Sequence, residues 1–174
     1  MKKSMPWIRC AGFLVGLAVI LGICDFCFAP SGYVRFILHE VNRKDTQYDT
    51  IMLGASHARS AINPEYLDEE LGTNTLNLAI PGETVKDAYY LLKDACESND
   101  VKTVIMDVDY QYWMDEQPQG YFTEPFICQN ITNLKVKTEY LLDNWDTIDL
   151  RNVLVRRLSW DCTWSSVKQN ISTK

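Results

Sequence analysis

The residues best suited to chemistry sit at the ends of three short apolar runs. Gly54-Ala55-Ser56-His57 follows "DTIML", Pro81-Gly82-Glu83-Thr84 follows "TLNLAI", and Asp107, Asp109 and Tyr110 close "KTVIMDVDY". A serine at a sharp strand-to-helix turn has a specific use, because amide N–H groups at such a turn can face a developing oxyanion. Gly54 permits backbone angles that other residues resist, and Ala55 and Ala58 leave space around the hydroxyl. Gly82 carries nothing on its Cα to block an approach, so its amide can act as a second donor. Ser56 as nucleophile, with such donors around it, is the start of an acyl-transfer site.

Each residue also has a plainer reading. Ser56 can be a turn or cap residue and Gly82 an ordinary turn glycine. Asp107 and Asp109 are one strand step apart and share a face, where helix capping or solvent exposure is the simpler role. Tyr110, Tyr112, Trp113, Tyr121 and Phe122 form an aromatic cluster that suits either a carbohydrate or acyl pocket or the apolar underside of a loop. A serine hydroxyl is a weak nucleophile without an adjacent base, and the sequence holds two histidines, His39 and His57. His57 follows Ser56 directly, and adjacent side chains at a turn diverge, so support of the turn is its expected role. His39 lies in an amphipathic stretch and reads as a surface or packing residue.

The elements that must position these groups alternate. "DTIMLG" is a compact apolar run suited to a buried parallel strand. "NPEYLDEELG" has a helix frame, with Asn63 as N-cap, Pro64 in the first turn and Gly72 at the end. "TLNLAI" is the second strand. "PGETVKDAYYLLKDACES" is a helix capped by Thr84, with Val85, Ala88, Tyr89, Leu92 and Ala95/Cys96 on one face. "KTVIMDVDY" is the third strand. The order β-α-β-α-β predicts an α/β fold with a parallel sheet, right-handed crossovers and three α/β/α layers. In such a sheet, sites form at the carboxyl ends of the strands, where the residues above lie. Beyond Tyr110, "QYWMDEQPQGYFTEPF" reads as a loop or lid, "NLKVKTEYLLDNW" and "DLRNVLVRRLSW" as amphipathic helices, and "SSVKQNISTK" as a polar end.

"IMLGASHARSAINPEYLDEEL", "TLNLAIPGET" and "VKTVIMDVDY" together resemble the N-terminal half of SGNH/GDSL-type hydrolases, over about residues 48–112. The similarity is greatest to the membrane-anchored, cell-envelope branch that includes the D-alanyl-transfer protein of lipoteichoic acid synthesis and O-acetyl esterases or transferases. The resemblance implies a flavodoxin-like core, Ser56 as nucleophile, and the Ser56 and Gly82 amides as the oxyanion hole. Gly54, His57, Asp109 and Tyr110, at the same strand ends, are the candidates to line the site. It implies no metal or organic cofactor, and a cell-envelope polysaccharide or an acyl donor as substrate. Two departures stand out. The third block has "DVDYQYW" where the family places an asparagine, and the family's Asp-x-x-His block, which supplies the base, is absent from these residues. The expectation is therefore an N-terminal part of an esterase or O-acyltransferase. A truncated or degenerate member with a binding or scaffolding role is the alternative.

The first 29 residues differ from the rest. "MKKSMPWIR" is basic and "CAGFLVGLAVILGIC" is unbroken apolar sequence. Alone it falls short of the roughly 30 Å hydrocarbon core, but Arg9 can snorkel and "FCFA" can extend it. "CFAPS" is a poor signal-peptidase site and "LGIC" a poor lipobox, which favours an uncleaved anchor. Basic residues are balanced across the segment, with Lys2, Lys3 and Arg9 before it and Arg35, Arg43 and Lys44 after, so the export-like basic tail is what places the domain outside the cytoplasm. The organisation read from sequence is an anchor at 1–29, a connector at 30–47 and a partial α/β domain at 48–174. Within the whole chain of 174 residues the net charge is -6 and the basic residues are scattered, which leaves no nucleic-acid footprint. The six cysteines lack the spacing of a disulfide framework, and apart from Cys24 and Cys27 at the membrane edge no two have zinc-site spacing.

Overall fold

The apolar N-terminal sequence forms one helix, α1 (Pro6–Phe28), in a computed structural model that describes residues 6–28, 33–107, 123–148, 150, 153 and 162–173. The helix runs through Asp25, so "FCF" extends the apolar run as its composition allows. Its 23 residues, at about 1.5 Å each, span about 35 Å, and none of them is buried. It is long and apolar enough to cross a membrane, a property that signal sequences share.

The described chain divides into two compact units, one drawn from the two termini and one spanning Gly32–Leu154. In the first, α1 packs with the C-terminal helix Trp164–Thr173, and Asn170 Nδ2 donates to the Cys27 carbonyl at 2.8 Å. The sequence expectation of a polar end missed this helix. Among its described residues Val167 and Asn170 are buried, and one apolar residue beside one polar one does not register as an apolar stripe.

The second unit holds the sheet. Strands β1 (Thr50–Leu53), β2 (Thr75–Asn77) and β3 (Thr103–Met106) are parallel, in the order β2-β1-β3. Thr50 pairs with Thr75 on one side and Thr103 on the other, and Leu53 pairs with Met106. All of β1 and β2 is buried, including the polar Thr75 and Asn77 of β2. On β3, Thr103 and Val104 are exposed.

Helices join the strands as the caps predict. After β1 come α3 (Ser56–Ala61) and α4 (Pro64–Leu71); α4 starts at Asn63, whose side chain accepts the Glu65 N–H, and ends at Gly72 in the left-handed conformation. After β2 comes α5 (Val85–Ser98), which begins with a complete capping box between Thr84 and Asp87. Its buried face is Ala88, Leu91 and Ala95, flanked by Asp87, Tyr90 and Asp94, whereas Tyr89 and Cys96 are exposed. The apolar spacing alone pointed one position further round. The two buried acids settle the rotation, because each has partners elsewhere in the unit, on the helix Leu134–Asp143 for Asp87 and in the segments just after Glu40 and just before Leu134 for Asp94. Tyr140 donates to Asp87 at 2.6 Å, and Asn42 Nδ2 and the Asn133 N–H donate to Asp94 at 3.1 Å each.

α2 (Tyr33–Glu40), within the stretch read as the connector, falls in this unit, and Ile37, Leu38 and Val41 are buried in its core. α6 (Thr123–Asn130) occupies part of the stretch read from sequence as loop; Pro125 falls in its first turn, where a missing N–H costs nothing, and Ile127 and Cys128 are buried. α7 (Leu134–Asp143) is capped by Asn133 and packs on α5. All six cysteines are free, and burial pushes the Cys128 thiol up to about 11.

Candidate functional site at the carboxyl end of the sheet

β1 is the central strand, and the chain leaves it through Gly54. Gly54 has φ 148°, and a Cβ there would stand 2.6 Å from Asp107 Cβ and 2.7 Å from Ala58 Cβ. Glycine is therefore required twice, for its dihedral and for its space. This close approach brings the start of α3 down onto the strand ends and sets Asp107 beside it. Ser56 is the first residue of α3, and its side chain is exposed. The N-cap position belongs to Ala55, which makes no side-chain cap, so Ser56 stands one place inside the helix.

α3 is fastened at its far end by a buried side chain. Asn77 of β2 donates to the carbonyls of Ala58 and Arg59 at 3.3 and 3.4 Å. Its Oδ1 accepts the Ala79 N–H at 3.2 Å. Tyr33 of α2 closes the same corner, donating to the Asn77 carbonyl at 3.1 Å while the Arg59 guanidinium lies 5.2 Å from its ring centre. Burial raises the Tyr33 pKa, Arg59 opposes that shift and Glu83 adds to it.

The neighbouring turn is built on Gly82. The Glu83 N–H returns to the Ile80 carbonyl at 3.1 Å, with Pro81 and Gly82 between them and Gly82 at φ 77°. Proline second and a positive-φ glycine third make a type II turn, which accounts for both residues. Ladder pairing persists to this point: the Ile80 N–H reaches the Gly54 carbonyl at 3.1 Å, and the Asp107 N–H reaches the Leu53 carbonyl at 3.0 Å. Glu83 is only 4% exposed. One of its carboxylate oxygens accepts the Gly54 N–H at 3.1 Å, and the other accepts the Ile80 N–H at 2.8 Å. Sequence reading placed Glu83 at the strand end without a role, although an acid inside Pro-Gly-Glu-Thr, between an apolar strand and a helix, was its visible signal.

The structure thus brings Gly54, Asp107, Glu83 and the Gly82 turn to one sheet edge, with Ser56 on the helix that starts there. His57 is the second residue of α3, and successive helical side chains turn by about 100°. It does not follow Ser56 onto the same face. His39 is exposed at the end of α2. Asp109, Tyr110 and the aromatic cluster after them lie outside the described residues. Among the described residues, no group of three or more His, Cys, Asp or Glu side chains is placed to hold a metal ion.

Such a site can present one nucleophilic hydroxyl at the carboxyl end of a parallel sheet, with turn amides on either side. Comparison with family models, curated proteins and solved structures yields no significant match.

Proposed function

We propose that this chain is the N-terminal part of a membrane-anchored, extracytoplasmic serine esterase or O-acyltransferase of SGNH type, acting on cell-envelope polymers. One observation carries the reading: Ser56 is exposed on the first residue of a helix that begins at the carboxyl end of the central strand, without serving as that helix's cap. The chain passes from β1 to β2 on one side, then back beyond β1 to β3. Right-handed crossovers in these opposite directions favour helices on both faces, hence a three-layer core. The apolar α1 supports the anchor.

In this reading the Ser56 hydroxyl attacks an ester carbonyl and gives its proton to a base supplied by chain beyond residue 174. The Ser56 and Gly82 amides hold the tetrahedral oxyanion. The alcohol leaves with a proton, and water or an acceptor hydroxyl takes the acyl group from Ser56. No metal or organic cofactor enters the cycle.

Turnover of a small acyl ester by a form continuing past Lys174 tests the proposal. Ser56→Ala is expected to lower kcat/KM by at least about 1,000-fold, the order of effect for removing an activated nucleophile. Equal turnover by the two proteins overturns it. A second, non-catalytic reading is favoured by the placement of the histidines, one at the end of α2 and one turned away beside Ser56. That reading predicts no Ser56-dependent turnover in either form.

A further inference from the structure

Glu83 is a buried carboxylate for which the acyl-transfer scheme has no step. Both of its oxygens face backbone: Oε1 takes the Gly54 N–H at 3.1 Å and Oε2 takes the Ile80 N–H at 2.8 Å. Gly54 lies two residues before Ser56, and Ile80 two before Gly82. The carboxylate thus holds the backbone at the same distance upstream of each proposed oxyanion donor. The β-turn itself is already closed by the Glu83 N–H to the Ile80 carbonyl, and the strands by the Ile80 N–H to the Gly54 carbonyl. A turn and a ladder alone therefore do not call for an acid at this position. Burying a carboxylate is costly unless its lone pairs are well used, and bonds from N–H groups to a carboxylate are among the stronger ones.

We infer that Glu83 is a positioning residue: it locks the Gly82 turn to the Ser56 turn and so sets the spacing between nucleophile and oxyanion donors. This role rests on the acyl-transfer reading, but the clamp itself can be observed separately.

The test uses a form continuing past Lys174, in detergent, and compares wild type with Glu83→Gln in two measurements. The first is the position of the Gly54 and Ile80 amide protons by NMR. The second is the second-order rate at which a fluorophosphonate labels Ser56. Glutamine keeps the volume but turns an amide NH2 toward one of the two donors. Expected are upfield movement of both amide protons, a melting temperature within a few degrees of wild type, and labelling slowed at least 10-fold. Unmoved amide protons overturn the clamp. Moved protons with an unchanged labelling rate leave a purely structural link and overturn the positioning role. A wild type that never labels overturns the Ser56 reading and this role with it, while the amide protons still report on the clamp. If Glu83→Gln does not fold, Glu83→Asp replaces it; aspartate keeps the charge but is one methylene too short to reach both N–H groups, so the same outcomes apply.

Discussion

Gly54 carries two separate constraints, a φ of 148° and close contact with Asp107 and Ala58 on the side where a Cβ would point. Gly54→Ala is expected to cost about 2–4 kcal/mol, combining a strained dihedral with overpacking, as read by chemical denaturation. A cost under about 1 kcal/mol contradicts the close approach. Glycine at this position was legible as a sharp turn, because a glycine ending an apolar run before Ala-Ser announces one. What it packs against was not legible, since Asp107 arrives from a strand some fifty residues later. Asp87 makes a different prediction. Burial raises its pKa against the opposing bonds from Tyr140 and Thr84. The folded state therefore binds this proton more tightly than the unfolded chain. The resulting stability is fully present below the ordinary carboxylate value of about 3.9 and is lost as pH rises through the raised folded value. Relative to Asp87→Asn, wild type is expected to lose stability between acid and neutral pH, measured by denaturation at several pH values. A difference that grows with pH instead contradicts the assignment.

Caps decide where the helices begin, and most were readable. Asn63, Thr84 and the Gly72 terminator stand where local sequence chemistry places them. Thr84→Ala removes the Thr84 half of the capping box and is expected to destabilise by about 1 kcal/mol, with Thr84→Ser near neutral. Helix rotation was less readable. The face of α5 is set by Asp87 and Asp94, which a pattern of apolar residues counts as outward-facing, yet their partners Tyr140, Asn42 and Asn133 are supplied from elsewhere in the chain. Asn77 has the same character: a polar residue inside an apolar strand, explained only by the α3 carbonyls it binds. Asn77→Ala is expected to loosen α3 rather than the sheet. Hydrogen exchange should rise at Arg59 and its helical neighbours while β1 amides stay protected; equal loss in both contradicts the fastening role.

On the scale of the whole molecule, the sheet, its parallel pairing and the apolar α1 were all legible, because each rests on continuous runs of one residue class. The grouping of the last helix with α1 was not, since the described contact is a side-chain amide, Asn170, on the Cys27 carbonyl, which no apolar pattern announces. The central claim is that the sheet edge makes Ser56 a nucleophile. Its most direct test is fluorophosphonate treatment followed by intact-mass and peptide analysis, applied to this chain and to a form extending past Lys174, each with a Ser56→Ala control and a check that it is folded. A single adduct on Ser56 in the longer form, absent from the control, is the predicted result. Adduct on this chain alone would require its base among residues 1–174 and would return His57 and His39 to consideration. No Ser56 adduct in either folded form contradicts the account.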